Sequence, residues 1–169
     1  MKKLVIQLFV GIFLLCCGFQ AVAQTPITEY KEKLNSLSDD NPHILDGIIN
    51  GAPSMLFINA EEMPGDYRGS GMPYKMMMLH EPSDLMPLLN AYEGQLDGLQ
   101  VINIEWKGEE QYLFPINTLS KLPGLKYVYI RSEQQLTKQV VESSFPELIK
   151  MLEGQDQVEI LYFTMEKPG

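Results

Sequence analysis

The chain has 169 residues, a formal net charge of −9, 45% hydrophobic residues, two cysteines and one tryptophan. This is the length of one domain with room for an apolar core, and it excludes a disordered chain, a collagen-like repeat and a disulfide scaffold. The acidic balance excludes a general nucleic-acid binder, which needs a basic surface to displace counterions from phosphates.

Lys2 and Lys3 precede an almost wholly apolar run over residues 4–19, and Ala21-Val22-Ala23 follows as a small-residue cleavage pattern. As a helix the run is short for a bilayer core of about 30 Å. The pattern predicts a signal peptide over 1–23 and a mature N-terminus at Gln24. It implies a bacterial protein that is exported, periplasmic or extracellular, with no membrane span once the signal is removed. Lipidation fits poorly, because Leu15 precedes Cys16 and Cys16 precedes Cys17 where a small residue is wanted. Cleavage removes both cysteines and takes the net charge from −9 to −11 by the loss of Lys2 and Lys3. A single domain over 24–169 must then be held by its apolar core, with no disulfide and no thiolate.

Residues 25–38 read as an amphipathic helix, with Thr25 as cap, Pro26 at the first helical position and a stripe of Ile27, Tyr30, Leu34 and Leu37. Residues 43–59 read as short strands, with Asp46-Gly47 as a hairpin turn. Residues 60–74, broken by Pro64, Gly65, Gly69, Gly71 and Pro73, read as a loop. Four strand-like segments follow, over 75–80, 99–106, 125–131 and 158–165. A helix-like stretch precedes each of the last three. Leu85, Leu88, Leu89 and Tyr92 form one stripe, capped by Asp84 and stopped at Gly94. Ile116, Leu119 and Leu122 form a shorter one, closed by Pro123-Gly124. Capping-box spacing at Ser132/Gln135 and Ser144/Glu147 predicts two helices, over 133–142 and 145–153, ended by Gly154.

Short helices alternating with short apolar strands predict an α/β fold, a small and mostly parallel sheet with helices as crossovers. A 26-residue step aligns Ile102 with Val128. The same step back gives Met76, and a step of 33 forward from Val128 gives Leu161. Leu119-Ser-Lys-Leu122-Pro-Gly-Leu125-Lys-Tyr-Val128-Tyr-Ile130 resembles the spacing of a leucine-rich repeat, and Leu96, Leu99, Ile102 and Ile104 repeat part of it. The resemblance covers 75–166 and implies a stack of strand–helix units. The asparagine position of such repeats is Lys107, Glu133 and Glu166 here, so an asparagine ladder is missing.

In that register one face carries Met76, Met78, Ile102, Ile104, Trp106, Val128, Ile130, Leu161, Phe163 and Met165, the expected core. The other carries Met77, Leu79, Val101, Asn103, Glu105, Tyr127, Tyr129, Arg131, Ile160, Tyr162 and Thr164. Asn103, Tyr129 and Tyr162 would form one row. Tyrosines beside an arginine and an asparagine are the residue mix of recognition surfaces, so Asn103, Tyr127, Tyr129, Arg131 and Tyr162 are the expected ligand-binding residues. Alternatively that face is half-exposed sheet, or is covered by residues 25–70.

Catalytic motifs are weak. His80-Glu81-Pro82-Ser83-Asp84 ends in Asp where a zinc helix needs His, and Pro82 disfavours the helix. Residues 65–71 are glycine-rich but lack the ending of a phosphate loop, and no G-x-S-x-G elbow occurs. Seven methionines (Met55, Met63, Met72, Met76, Met77, Met78 and Met86) crowd one stretch near His80, and soft thioethers suit Cu(I). The expectation is therefore a non-catalytic binding domain, needing no cofactor, that recognises a protein or other extracytoplasmic ligand. A methionine-rich copper carrier is the second reading. A hydrolase is the third, to be marked by two carboxylates or a His–carboxylate pair converging in a pocket.

Overall fold

A computed structural model of the chain describes residues 25–38, 41–51, 54–58, 64–67, 73–108, 111–114, 118–153, 155 and 157–166. The expected signal peptide with Cys16 and Cys17, and Ile116 and Gly154, lie outside them, as do Met63, Met72 and most of the expected loop. Seven strands form one sheet: β1 (Ile27–Glu29), β2 (Met55–Ile58), β3 (Pro64–Tyr67), β4 (Met76–Leu79), β5 (Val101–Glu105), β6 (Tyr127–Ser132) and β7 (Glu159–Thr164). Their order is β1-β7-β6-β5-β4-β2-β3, with β3 antiparallel to β2 and every other pair parallel. The helices among the described residues are α1 (Tyr30–Ser36), α2 (Asn41–Ile49), α3 (Leu85–Ala91), α4 (Lys138–Ser144) and α5 (Pro146–Leu152), with 3-10 turns at Pro82–Asp84 and Leu119–Lys121. The expected α/β class and mostly parallel sheet are what the chain builds.

The first third departs from the sequence reading. Ile27–Glu29 is a strand, not the first turn of a helix. β-Branched Ile27 and Thr28 suit an extended chain, and the Pro26 carbonyl accepts the Ile160 N–H at 2.9 Å. Helix α1 starts three residues after Ile27, capped by the Glu29 carboxylate on the Glu32 N–H (2.9 Å) rather than by Thr25. The expected hairpin at Asp46-Gly47 is instead the middle of α2. Pro42 is tolerated in a first helical turn, and Leu45, Ile48 and Ile49 fall on one helical face, with Leu45 and Ile49 buried. Within the expected loop, Pro64–Tyr67 pairs with β2.

Two apolar layers enclose the sheet, as a parallel sheet requires. Strands β4 to β7 lie side by side in chain order. The segments joining them pack on one face: Leu85, Leu88, Leu89, Leu119, Leu122, Val141, Phe145, Leu148 and Leu152 meet Met77, Leu79, Ile102, Ile104, Val128, Ile130 and Ile160 in one core. The Thr137 hydroxyl, rather than Ser132, caps α4, accepting the Val140 N–H at 3.2 Å. On the opposite face α1 and α2 carry the chain from β1 at one side of the sheet to β2 near the other. Tyr30, Leu45 and Ile49 cover Met76, Val101, Tyr129 and Leu161, with Leu34 and Leu37 at the margin. The face that a leucine-rich-repeat stack leaves open is thus occupied here, and the likeness extends only to short strands joined in sequential order.

The register is half as expected. Ile102 lies opposite Val128 and Asn103 opposite Tyr129. The flanking strands are each offset by one residue: Ile102 meets Met77 rather than Met76, and Val128 meets Ile160 rather than Leu161. A slip of one residue moves every side chain of a strand to the other face. Met77, Leu79, Ile160 and Tyr162 therefore belong to the connecting-helix side. Met76, Met78, Leu161 and Phe163 belong with Asn103 and Tyr129.

Candidate functional site

The expected tyrosine row is not formed. Asn103 faces Met78, Tyr129 and Leu161 across the strands, while Tyr162 lies on the opposite face against the main core. Asn103 (1% exposed) and Tyr129 (3%) are buried, with the Tyr30 ring 5.2 Å from that of Tyr129. Burial pushes the Tyr129 hydroxyl up to about 12, against the opposing effect of the Arg131 charge. Tyr127 and Arg131 are half-buried. The covering helices are pinned by the Tyr30 hydroxyl, which donates to Asp46 Oδ1 (2.7 Å), and by Asn50 Nδ2, which donates to both. Near β1, Glu159 accepts the Thr28 hydroxyl at 2.7 Å and pairs with Lys33. Of the five expected residues, the structure brings Asn103, Tyr127, Tyr129 and Arg131 to one face and buries the two at its centre.

Among the described residues the methionines divide between the two faces of the sheet, with Met55 and Met76 paired on one of them. Met77 is in the main core and Met76 under α1 and α2, where its sulfur takes the Asn103 amide at 3.6 Å. The Met78 sulfur lies 3.9 Å from Arg131 Nη2.

What the strands do bring together lies at their carboxyl ends, where parallel sheets characteristically hold ligands. β4 ends in a tight turn: Asp84 Oδ2 accepts the N–H groups of His80 (2.9 Å) and Glu81 (3.0 Å), holding both side chains at the rim. The sequence had placed Asp84 as the cap of α3; its carboxylate instead closes the turn before it. β5 ends at Glu105 and is followed by Trp106, Lys107 and Gly108. The Trp106 N–H continues the ladder to the Arg131 carbonyl at 2.9 Å. Gly108 has φ +85°, a left-handed conformation that favours glycine, and its Cα lies against the end of the Gln134 side chain. Gln134 Nε2 in turn donates to the Lys107 carbonyl at 2.9 Å.

Arg131 Nη2 reaches Glu105 Oε2 at 2.6 Å, and His80 Nδ1 stands 3.9 Å from the same oxygen. This is the His–carboxylate approach that a hydrolase would need, but Glu105 is already engaged by a guanidinium.

Between the ends of β4 and β5 opens a recess of about 260 Å³, lined by His80, Glu81, Trp106, Lys107, Gln111 and Tyr112. Its aromatic wall is built on Phe145: the Tyr112 ring stacks on Phe145 (5.5 Å, 27°), and Trp106 meets Phe145 edge-on (5.5 Å, 67°). The Tyr112 N–H donates to the Ser144 carbonyl at the end of α4 (2.9 Å), which fixes the residue in place. Tyr112 is 4% exposed, and its hydroxyl is buried without a hydrogen-bond partner among the described residues. Burial, with the Asp84 and Glu81 carboxylates adding to it, holds that hydroxyl far above the ordinary phenol range. A second recess, of about 430 Å³, lies on the far side of Trp106 and Lys107, between Glu105, Ser132, Glu133, Gln134 and Met165. The sequence reading put Trp106 in the core, where it lies with one side on the recess, and missed Tyr112. The signal for Tyr112 was faint: Tyr112 and Phe114 stand two apart around exposed Leu113, outside any recognised element.

Comparison with known proteins finds no matching family, no similar curated protein and no similar solved structure.

Proposed function

We propose that the chain is an exported, non-catalytic binding domain that takes a small polar ligand at the carboxyl ends of β4 and β5. The observation that carries this reading is the recess itself, at the carboxyl ends of two parallel strands and lined by polar and aromatic side chains that include His80, Trp106, Lys107 and Gln111. The recess, at about 260 Å³, sits just below the range of roughly 300–1,000 Å³ usual for small-molecule sites, so its occupant is small. Recognition moves, on this reading, from the flat tyrosine face to the strand ends beside it. Export is supported by Lys2-Lys3, the apolar run and Ala21-Val22-Ala23.

Trp106 is the chain's one tryptophan and lines both recesses, so its emission reports on this edge alone. Titration with representative sugars, amino acids, nucleosides, amines and carboxylates is expected to give at least one saturable change, with the midpoint shifted by Gln111→Ala. A flat response to every class removes the binding reading.

A further inference from the structure

We propose that the mature N-terminus is a modification site, at which Gln24 closes on itself to a pyroglutamyl lactam once the signal peptide is cut. This rests on the export reading above and names the chemistry of the chain end that cleavage creates.

The sequence supplies the reactants. Cleavage after Ala21-Val22-Ala23 turns the Gln24 nitrogen from a peptide nitrogen, which is no nucleophile, into a free α-amine beside its own side-chain amide. An α-amine titrates at about 7.7–8.0, so a neutral, nucleophilic fraction is present at physiological pH. That nitrogen attacks Cδ of the same residue, and the new C–N bond closes an unstrained lactam. The side-chain nitrogen leaves as ammonia, carrying off the proton that the amine gives up. One amide is exchanged for another, so no oxidant, reductant or energy source is consumed. Before cleavage the step is closed, so the lactam also marks a processed chain.

The structure shows where the seated chain begins. Gln24 lies outside the described residues, and Thr25 directly after it is buried, with its hydroxyl donating to the Ile149 carbonyl at 3.4 Å. The Pro26 carbonyl is already in the ladder to β7, accepting the Ile160 N–H at 2.9 Å. Ring closure makes and breaks bonds within Gln24 alone, so it needs no change in those contacts of Thr25 and Pro26. It removes the positive charge and the free amine of the terminus. The mature chain is then sealed one residue ahead of its first buried side chain.

The test expresses the full chain in a bacterial host with its export pathway intact. The N-terminal peptide of the purified protein is then read by mass spectrometry, fresh and after several days at neutral pH. A peptide that begins at Gln24, is lighter by one ammonia and is blocked to Edman degradation is expected. Gln24→Asn keeps a side-chain amide but could close only a smaller, strained ring, so its N-terminus should keep the open mass and remain open to Edman degradation. A Gln24 peptide that holds its open mass throughout overturns the inference while the export reading stands. An exported chain that begins at another residue overturns it too, and a chain still beginning at Met1 overturns both.

Discussion

On one face of the sheet, the segments that join β4 to β7 sit over the strands they connect. On the other, α1 and α2 lie across strands far from them in the chain. The first layer is assembled from repeated local units, each contributing leucines or a phenylalanine to one continuous core. The second is thinner and relies on polar fastenings: Tyr30 to Asp46, Asn50 to both, and Glu159 to Thr28 and Lys33. It also covers a sheet surface that still carries Asn103 and Arg131, so polar groups lie beneath it that an apolar layer does not satisfy. Neighbouring layers of one domain can thus be stabilised by different physics, and the recess lies beside the better-packed one.

The sharpest way to break this contrast is Phe145→Ala. Phe145 is fully buried and touches Trp106 and Tyr112 as well as the main core. Truncation should cost roughly 3–5 kcal/mol in urea unfolding, a large share of a typical domain's stability of about 5–15 kcal/mol. It should also shift Trp106 emission in the folded state. A loss below about 1 kcal/mol would mean that the site collapses freely, contrary to the close packing described.

The next effect belongs to the turn before β6. A Cβ on Gly124 would lie 2.4 Å from the Asp97 carbonyl oxygen and 2.9 Å from that of Leu99. Neither is a flexible side chain, so Gly124→Ala should cost about 1–3 kcal/mol through backbone displacement. Gly47, within α2, has nothing within 4 Å of such a Cβ. There the same substitution should stabilise by about 0.5–1 kcal/mol, as expected for a helix interior. Melting both variants side by side measures how tightly each layer is seated. A stabilising Gly124→Ala would contradict the close approach.

Under the second layer, Asn103 is the sharper probe. Among the described residues its Oδ1 is buried without a partner, and its Nδ2 meets the Met76 sulfur at 3.6 Å. Asn103→Leu replaces an unsatisfied carbonyl with an apolar group of similar shape, which is neutral to stabilising at such positions. A gain of about 1 kcal/mol is expected, seen as a rise in Tm of about 2–4 °C. A fall in Tm would show that the Asn103 carbonyl is satisfied in solution.

These two layers also explain how much was legible in the sequence. The helix stripe Leu85, Leu88, Leu89 could be read because its spacing is local, and the four later strands because each is an apolar run between turn residues. Register could not be read where a run is apolar on both faces. Met76–Leu79 is apolar throughout, and Ile160, Leu161, Tyr162 and Phe163 follow one another in β7, so alternation carries no information about which side chain faces which core. β5 and β6 kept their register because Asn103, Glu105 and Arg131 mark one face. The slip of one residue in β7 is what placed Tyr162 in a row it does not join. The second layer was illegible for a different reason: β1 pairs with a strand more than a hundred residues later, and no local pattern announces that. The recess shared this difficulty, since Tyr112 meets His80 and Trp106 only through the fold.

The smallest effect expected is also the one that best isolates the fastening of α1 to α2. Tyr30→Phe removes the hydroxyl that donates to Asp46 while leaving the ring against Tyr129 and Phe163. At neutral pH the loss should be about 0.5–1.5 kcal/mol. Its pH dependence follows from two shifts. The Tyr30 hydrogen bond, with Asn50 second, holds the Asp46 carboxyl below its ordinary value of 3.8. A lowered carboxyl stabilises the fold above the unfolded value and loses that contribution as pH falls through the folded one. Burial first, and then the bond to Asp46, raise the Tyr30 hydroxyl above 10.0, so its contribution is complete below pH 10 and lost above it. The gap between wild type and Tyr30→Phe should therefore form a plateau between about pH 5 and 9 and narrow at both ends. A gap that stays constant into acid would show that the two residues do not share the proton-linked bond, and that α1 and α2 are held by their apolar contacts alone.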